Sequence, residues 1–254
     1  MNALFDQWGE LGITQKPGGP EATKRLLNLC NINKGQRVLD IGCGTGYTAC
    51  LLAKGYQANV VAVDISPKIL DWAKRRIKKE GVADKVEVIV ADAQKLPFED
   101  SSFDVVIAES VLIFCDQQRV ASEVYRVLKP KGIFGDAEMT IQRPPSADLI
   151  TLLSKPQLSS FGLFNTLNDW QTLFTQAGFE MTSSNLYHIN MFEQFASIFK
   201  THGTLRTLSV FGRMVVDPEL RSLPDVSFKD GLRILWGLMP IWRYGQYVAR
   251  KPQD

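Results

Sequence analysis

The chain has 254 residues, of which 45% are apolar and 22% are charged, a composition typical of a globular protein with a sizeable core. Lys and Arg number 29 and Asp and Glu 27, so the net charge of +2 excludes a strongly basic nucleic-acid coat. The four cysteines lack metal-ligand spacing, which predicts no metal site and a reducing compartment. The N-terminus has no signal-peptide pattern and the longest apolar stretch, 234–242, is too short to span a bilayer. We therefore predict a soluble, cytoplasmic protein.

Between residues 37 and 137 the chain alternates short β-branched runs with helical patterns. Strands are predicted at 38–41, 59–64, 86–91, 103–108, 132–137, about 179–189 and 244–250, and helices at 66–80, 116–128 and 166–177. The helix at 66–80 has Ser66 as its N-cap and Pro67 at its first position. Apolar strands separated by helices are typical of a parallel sheet covered on both faces, so we predict a doubly wound α/β fold.

After residue 138 this alternation stops. We interpret the chain as one domain, with a core at about 21–190, a last strand at about 244–251 and a helical insertion at about 191–243. The insertion region carries many large apolar side chains: Phe192, Phe195, Phe199, Phe211, Phe228, Trp236 and Trp242. We predict that it covers the carboxyl ends of the strands together with segment 144–164. The alternative is a helical subcore or a dimer contact.

A glycine cluster, Gly42-Cys43-Gly44-Thr45-Gly46, follows the first predicted strand directly. Glycines at such a position let the backbone approach a ligand closely, because no Cβ atom intervenes. The dinucleotide pattern GxGxxG fails, since Tyr47 occupies the position of its last glycine. The pattern present is GxGxG, and we predict weak or no binding of nicotinamide dinucleotides.

Three carboxylates, Asp40, Asp64 and Asp92, lie at the ends of three successive predicted strands. Asp64 follows the glycine cluster by about 20 residues, a spacing at which a carboxylate can accept hydrogen bonds from ribose hydroxyls. Asp92 could accept a hydrogen bond from an exocyclic amine. Open α/β sheets bind their ligands at the carboxyl ends of strands, so these positions indicate a nucleoside-containing ligand.

Segment 38–46 resembles motif I of the class I S-adenosylmethionine (SAM)-dependent methyltransferases. Segments 61–66, 91–98, 103–106 and 126–132 resemble the later motifs, in order and at the right spacing. The chain is most similar to the ubiquinone/menaquinone-methyltransferase-like (methyltransferase type 11) group, whose members act mostly on small molecules. The resemblance covers about residues 16–138. It implies a Rossmann-like, doubly wound, mostly parallel seven-stranded sheet, SAM as the cofactor and methyl transfer as the activity.

The resemblance also implies roles for individual residues. Asp40 would position the glycine loop and the methionine ammonium of SAM, and Asp64 would hold the ribose. The remaining positions are the loop wall, formed by Gly42, Cys43, Gly44 and Gly46; the adenine neighbours Ile65, Asp92 and Ala93; and the methyl-transfer end, formed by Glu109, Ser110 and Val111. That end lacks the Asn/Asp-Pro-Pro motif of family members with amide or adenine-amine substrates, which argues against those substrates.

A proton-bearing methyl acceptor would need a general base, for which the candidates are Glu138, Glu109 and His188. Glu138, just past the fifth predicted strand, is the favoured candidate, and its alternative is a salt-bridged loop residue. His188 lies near the end of a predicted strand, where a structural histidine is the alternative.

The function that we predict is methyl transfer to a small-molecule acceptor in an apolar pocket beneath the insertion. A methyltransferase for a protein or RNA side group, and a non-catalytic SAM-binding module, are the alternatives. The basic run at 74–79 favours a solvated helix face over a nucleic-acid interface. A homodimer stays open.

Overall fold

The computed structural model describes residues 16–154, 165–205, 207–209, 233–234 and 236–253. Its strands are β1 (Arg37–Ile41), β2 (Asn59–Asp64), β3 (Val86–Val90), β4 (Phe103–Glu109), β5 (Leu128–Ile141), β6 (Glu180–His188) and β7 (Trp242–Arg250). Its longer helices are α1 (Gly19–Leu29), α2 (Tyr47–Gly55), α3 (Pro67–Glu80), α4 (Gln117–Val127), α5 (Ala147–Leu153), α6 (Leu167–Gln176) and α7 (Met191–His202). A 3₁₀ turn, Leu112–Phe114, follows β4.

The strands form one seven-stranded sheet in the order β3-β2-β1-β4-β5-β7-β6. Strand β7 runs antiparallel to both β5 and β6, and the other pairs are parallel. The order reverses at β1, so β1 and β4 lie side by side at the switch point where such sheets bind ligands. The predicted mostly parallel, seven-stranded α/β fold is confirmed.

Helices cover both faces of the sheet. Residues of α1, α2 and α3 pack on one face, against Val38, Val60 and Ile107. Residues of α4 and α6 pack on the other face, against Leu39 and Phe134. Because β1 pairs in parallel with both β2 and β4, the carboxyl ends of these three strands lie along one rim of the sheet, between the two helix layers.

Helix α3 begins as the sequence predicts. The Ser66 hydroxyl accepts a hydrogen bond from the Ile69 amide at 3.4 Å, and Pro67 occupies the first helical position. The helix ends at Gly81, whose φ of 68° is the left-handed conformation typical of a helix C-terminus. This helix supports the glycine loop from one side, as described below.

The predicted limits of the fifth strand, 132–137, are wrong. Strand β5 begins at Leu128, which pairs with Phe103 of β4, and it extends to Ile141 because β7 pairs with it continuously from Ile133 to Ile141. The same pairing sets Trp242 opposite Ile141, so Trp242 belongs to β7 and not to the insertion. A local pattern does not reveal a partner strand that lies about a hundred residues further along the chain.

The described part of the insertion packs in two places. Helix α7 lies against α1. Ile234, Leu238 and Ile241 form a small apolar cluster with Leu149 and Leu152 of α5, beyond the ends of β5 and β7. Segments 155–164, 210–232 and the predicted roof residues Phe211 and Phe228 lie outside the described residues.

Candidate functional site

The glycine loop connects the end of β1 to the start of α2. Gly42, Gly44 and Gly46 have φ angles of 62°, 54° and 76°, which L-residues with a Cβ atom rarely adopt. The Cys43 amide donates a hydrogen bond to the Val63 carbonyl and the Gly46 amide to the Cys43 carbonyl, each at 2.9 Å. The glycines therefore permit a left-handed turn that is pinned to β2.

Two of the loop glycines are also required by close approaches. A Cβ atom on Gly46 would lie 3.1 Å from the Cβ and 3.2 Å from the Cα of Ala73 in α3. A Cβ atom on Gly42 would collide with the Val111 side chain. The loop is thus held between α3 and the segment that follows β4.

Asp64, at the end of β2, organises this loop. One carboxylate oxygen accepts a hydrogen bond from the Gly44 amide and the other accepts one from the Ser66 amide, both at 3.0 Å. Burial raises the pKa of the Asp64 carboxyl, although these two amide donors oppose the shift. Ile65, the next residue, is 40% exposed. A carboxylate oxygen accepts more than one hydrogen bond, so Asp64 retains capacity for ligand hydroxyls.

Asp40 and Glu109 are buried carboxylates at the neighbouring ends of β1 and β4. The Lys16 ammonium donates a hydrogen bond to Glu109 Oε1 at 2.7 Å. Burial lowers the pKa of Lys16, but the charges of Glu109 and Asp40 raise it above its ordinary value. Burial raises the pKa of Asp40 to about 7, although Lys16 opposes the shift. Among the described residues, Oδ2 of Asp40 has no hydrogen-bond partner.

Two hydroxyl groups complete the surroundings of Glu109. Thr48 of α2 donates to Oε1 at 2.7 Å, and Thr23 of α1 donates to Oε2 at 2.6 Å. Lys16 also contacts the Thr48 hydroxyl at 2.6 Å. This polar cluster ties the start of α1, the start of α2 and the end of β4 together beneath the glycine loop.

The segment after β4 is strained and tightly held. Ser110 has a φ of 59°, an unusual value for a residue other than glycine, and its amide donates to the Ala137 carbonyl at 2.8 Å. Oε1 of Glu138 accepts hydrogen bonds from the Val111 and Leu112 amides, both at 2.7 Å. The Glu138 carboxylate therefore fixes the turn that forms the wall opposite Gly42.

Glu138 and Asp136 form a fully buried acidic pair on β5. Burial raises the pKa of Glu138 to about 8, although the Leu112 and Val111 amides oppose the shift. Burial, and to a smaller extent the negative charge of Glu138, raises the pKa of Asp136 well above its ordinary value. Within the described residues, both oxygens of Asp136 and Oε2 of Glu138 have no hydrogen-bond partner.

Asp92 and Ala93 follow β3, at the edge of the sheet next to β2. Oδ1 of Asp92 accepts a hydrogen bond from the Gln94 amide at 2.9 Å, and Ala93 is buried. The Gln94 side chain accepts a hydrogen bond from the Asp116 amide at the start of α4. This turn lies two strands from β1, roughly 10 Å away, on the same rim as Asp64.

His188 is exposed at the end of β6, the other edge strand. Four strand spacings, about 19 Å, separate β6 from β1. The structure therefore brings Asp40, Asp64, Glu109 and the glycine loop together and leaves His188 apart from them. The assignment of a general base stays a prediction.

No sequence pattern singles out Lys16, Thr23 or Thr48. Lys16 and Glu109 are 93 residues apart, and Thr48 is an ordinary helix residue by pattern. A lysine just before a Pro-Gly-Gly element carries no spacing signal, so only the fold reveals this contact.

The residues present fit SAM. Oδ2 of Asp40, without a partner in the described part of the chain, is suited to an ammonium group. Gly42, Gly44 and Gly46 form a surface without side chains, and Asp64 lies beside it at the end of the next strand. This arrangement is that of a Rossmann-like α/β protein whose strand ends have the groups that an amino-acid-bearing nucleoside requires.

Comparison with known proteins gives the family. A methyltransferase-domain profile matches residues 39–135. Methyltransferase YodH of Bacillus subtilis, whose own function is uncharacterised, is 35% identical over 172 residues, which cover 66% of this chain and 70% of YodH. The 27-O-demethylrifamycin SV methyltransferase of Amycolatopsis mediterranei is 31% identical over 189 residues, covering 72% of this chain and 68% of that protein. The chain belongs to the class I SAM-dependent methyltransferases.

A solved structure agrees with this assignment. Phosphoethanolamine N-methyltransferase 2 of Haemonchus contortus, in complex with SAM, has 25% sequence identity and a TM-score of 0.64. The match covers 94% of this chain and 54% of that chain. The predictions of SAM as the cofactor and of methyltransferase activity are confirmed.

Among the described residues, every helix is too short or too polar to span a bilayer. In the same part of the chain, no group of three or more His, Cys, Asp and Glu side chains is arranged to hold a metal ion.

Proposed function

We propose that this methyltransferase binds SAM across the ends of β1, β2 and β3 and transfers its methyl group to a small molecule. The observation that carries the proposal is the convergence of the glycine loop, Asp40 and Asp64 on one rim of the sheet. Asp64 accepts hydrogen bonds from the ribose hydroxyls, and the hydrogen bond that it accepts from the Gly44 amide fixes the loop. Asp92 and Ala93 flank the adenine, with Ile65 packing nearby.

The amino-acid end of the cofactor lies beside the buried polar cluster. Asp40 and Glu109 supply negative charge for the ammonium group, and Lys16 supplies positive charge for the carboxylate. These groups are buried in the folded chain, so their interactions with a charged ligand are less screened than interactions at the surface. Ser110 and Val111 form the wall at the methyl-transfer end.

Bound SAM supplies a methyl group on a sulfonium, an activated donor whose transfer to a nucleophile depends mainly on in-line positioning. The chain contributes the rigid turn at 110–112, which three hydrogen bonds hold to β5. We assign Glu138 to holding this turn and not to proton removal, because the carboxyl is fully buried and its Oε1 already accepts hydrogen bonds from the Val111 and Leu112 amides.

A small apolar molecule is the acceptor that the surroundings favour. Beyond the ends of β5 and β7, the cluster of Ile141, Leu149 and Leu238 provides an apolar wall. Two chain neighbours of Leu238 are exposed, Trp236 to 72% and Met239 to 43%, so apolar surface is available to a ligand. The rifamycin-related methyltransferase, named for a small-molecule substrate, supports this class of acceptor.

The proposal is tested by SAM binding and by methyl transfer to a panel of small metabolites against cell protein and RNA. Asp64→Ala removes a charge-assisted acceptor, so we expect SAM affinity to fall roughly ten- to hundredfold. Asp71→Ala, which removes an exposed carboxylate of α3, is the matched control and should bind SAM normally. Equal binding by both variants would refute the ribose assignment. If methyl groups were transferred only to protein or RNA, the proposal of a small-molecule acceptor would be wrong.

A further inference from the structure

Arg76 of α3 joins two distant parts of the chain. Its Nε donates a hydrogen bond to the Thr45 carbonyl and its Nη2 donates one to the Thr201 carbonyl, both at 2.9 Å. Arg76 is half-buried, whereas the other basic residues of the run, Lys74, Arg75, Lys78 and Lys79, are exposed. The expectation that this whole run is a solvated face is therefore wrong for Arg76, because its side chain turns towards the glycine loop.

The first of these carbonyls belongs to the glycine loop itself. Thr45 lies between Gly44 and Gly46, and the Gly46 backbone contacts Ala73, one turn before Arg76 on the same helix. Helix α3 thus fixes the loop by a close backbone contact and by a charged hydrogen bond. Since the loop glycines allow many backbone conformations, the direction of the Thr45 carbonyl depends on the conformation that the loop adopts.

The second carbonyl belongs to the last turn of α7, the first helix of the insertion. A cation near a helix C-terminus is favourable, since the final carbonyls lack partners within the helix and carry partial negative charge. The preceding turns of α7 contact the start of α1: a Cβ atom on Gly19 would lie 2.6 Å from the Ser197 Cβ. Helix α7 therefore has contacts both with the start of α1 and with α3.

A narrow cleft lies between these contacts. Its lining residues include Lys16, Thr23, Tyr47, Ile198 and Thr201. Lys16 and Thr23 both donate hydrogen bonds to Glu109. Helix α7 is thus the described part of the insertion that lies next to the polar cluster at the amino-acid end of the proposed cofactor site.

We propose that Arg76 is a positioning residue that couples the conformation of the glycine loop to the docking of α7. The inference rests on the proposed cofactor site, since SAM is the ligand that would hold the loop in one conformation. The guanidinium is a rigid planar fork, so both bonds form together only when the Thr45 and Thr201 carbonyls keep one relative position. A ligand that favours that loop conformation therefore also favours docked α7, and docked α7 raises the affinity for the ligand by the same factor.

Hydrogen exchange of the full-length protein, with and without SAM, tests the coupling. The variants are Arg76→Gln and Arg76→Lys, since lysine keeps the charge but cannot span both carbonyls. The matched control is Arg75→Gln, because Arg75 is a neighbour on α3 that stacks on the Trp72 ring at 4.6 Å. Without SAM, we expect the amides of residues 196–202 to exchange about tenfold faster in both Arg76 variants than in the control.

With SAM, the wild-type protein and Arg75→Gln should gain protection at 196–202, and Arg76→Gln should not, although β1 and β4 stay protected in all variants. Equal exchange of α7 in Arg76→Gln and Arg75→Gln would overturn the proposal. Equal SAM-induced protection of α7 in those two variants would also overturn it. A uniform loss of protection throughout both Arg76 variants would overturn it as well, because Arg76 would then contribute to folding alone. If the wild-type protein failed to bind SAM, the proposed cofactor site would be refuted. The exchange rates of α7 without SAM, in the Arg76 variants and in Arg75→Gln, would still show whether Arg76 holds α7 in place.

Discussion

Oε1 of Glu138 lies within 2.7 Å of the Val111 amide nitrogen, and it accepts a second hydrogen bond from the next amide along the chain. The Val111 side chain in turn occupies the space that a side chain on Gly42 would need. A carboxyl on β5 thereby sets the distance between the two walls of the site, the glycine loop and the segment after β4.

This contact predicts that Glu138→Gln and Glu138→Ala differ sharply. Glutamine keeps a carbonyl oxygen for both amides and resembles the protonated carboxyl, so most of kcat should remain at neutral pH. Alanine leaves two buried amides without an acceptor, which should cost about 2 kcal/mol or more of stability and lower kcat by about tenfold or more. Steady-state kinetics and urea unfolding of both variants make the measurement. An equally complete loss of kcat in both variants would restore Glu138 as a general base.

The buried acidic pair predicts a dependence of stability on pH. The Asp136 carboxyl has its pKa raised by burial, so the unfolded chain releases this proton at a lower pH than the folded chain does. The stability that this group contributes is fully present below about pH 3.8 and is lost as the pH rises through the folded-state pKa. The pKa of Glu138 is also raised, to about 8, so the stability that this carboxyl contributes likewise falls as the pH rises through that value.

Asp136→Asn should therefore flatten the decline of the unfolding free energy as the pH rises above about 3.8. The slope is the informative quantity, since asparagine also changes stability by its own buried amide. Urea unfolding across this range measures it, with Asp71→Asn on the surface of α3 as the control. Identical slopes in the Asp136 variant and the wild-type protein would show that Asp136 does not carry the effect.

Much of the fold and part of the site follow from local sequence. Each of the parallel strands β1 to β4 is a short apolar run, and Asp40, Asp64 and Asp92 lie at or just past the ends of three of them. Because parallel strands align their carboxyl ends, the three acidic residues were predictable as neighbours. The glycine spacing itself identified the loop that has positive φ angles in the structure.

The remaining features depend on contacts between distant segments. The position of His188 at the end of a strand was predicted correctly, but strand order places that strand at the edge of the sheet. The inward turn of Arg76 requires the glycine loop and α7 to meet at α3, and the ion pair of Lys16 joins segments 93 residues apart. Neither has a local sequence signal, since the energy of each comes from groups that only the folded chain brings together.

The glycine loop provides a third prediction, with a matched control in the same chain. Gly46 and Gly35 both have positive φ, 76° and 81°, so alanine at either position costs roughly 1–2 kcal/mol in backbone strain. Gly46→Ala adds a contact of 3.1 Å with Ala73, whereas a Cβ on Gly35 would have no described atom within 4 Å apart from its own residue and its two chain neighbours. We expect Gly46→Ala to lose more stability and to weaken SAM binding, while Gly35→Ala binds SAM normally. If the two variants lost the same stability in urea unfolding and bound SAM equally well in calorimetry, the loop would tolerate displacement from α3.

The ion pair between Lys16 and Glu109 provides the last prediction. Both groups are largely buried, so Lys16→Met leaves the Glu109 carboxylate with hydroxyl donors but without a compensating charge. Breaking such a pair from one side typically costs about 3–5 kcal/mol. Adding Glu109→Gln removes the uncompensated charge, so the double variant should lose about 1–3 kcal/mol less than the sum of the two single variants. Urea unfolding of the four proteins measures this difference, and Lys24→Met, at an exposed pair with Glu21, should change stability very little. Strictly additive losses would show that Lys16 and Glu109 do not depend on each other, and the four hydrogen bonds of the polar cluster would then act independently.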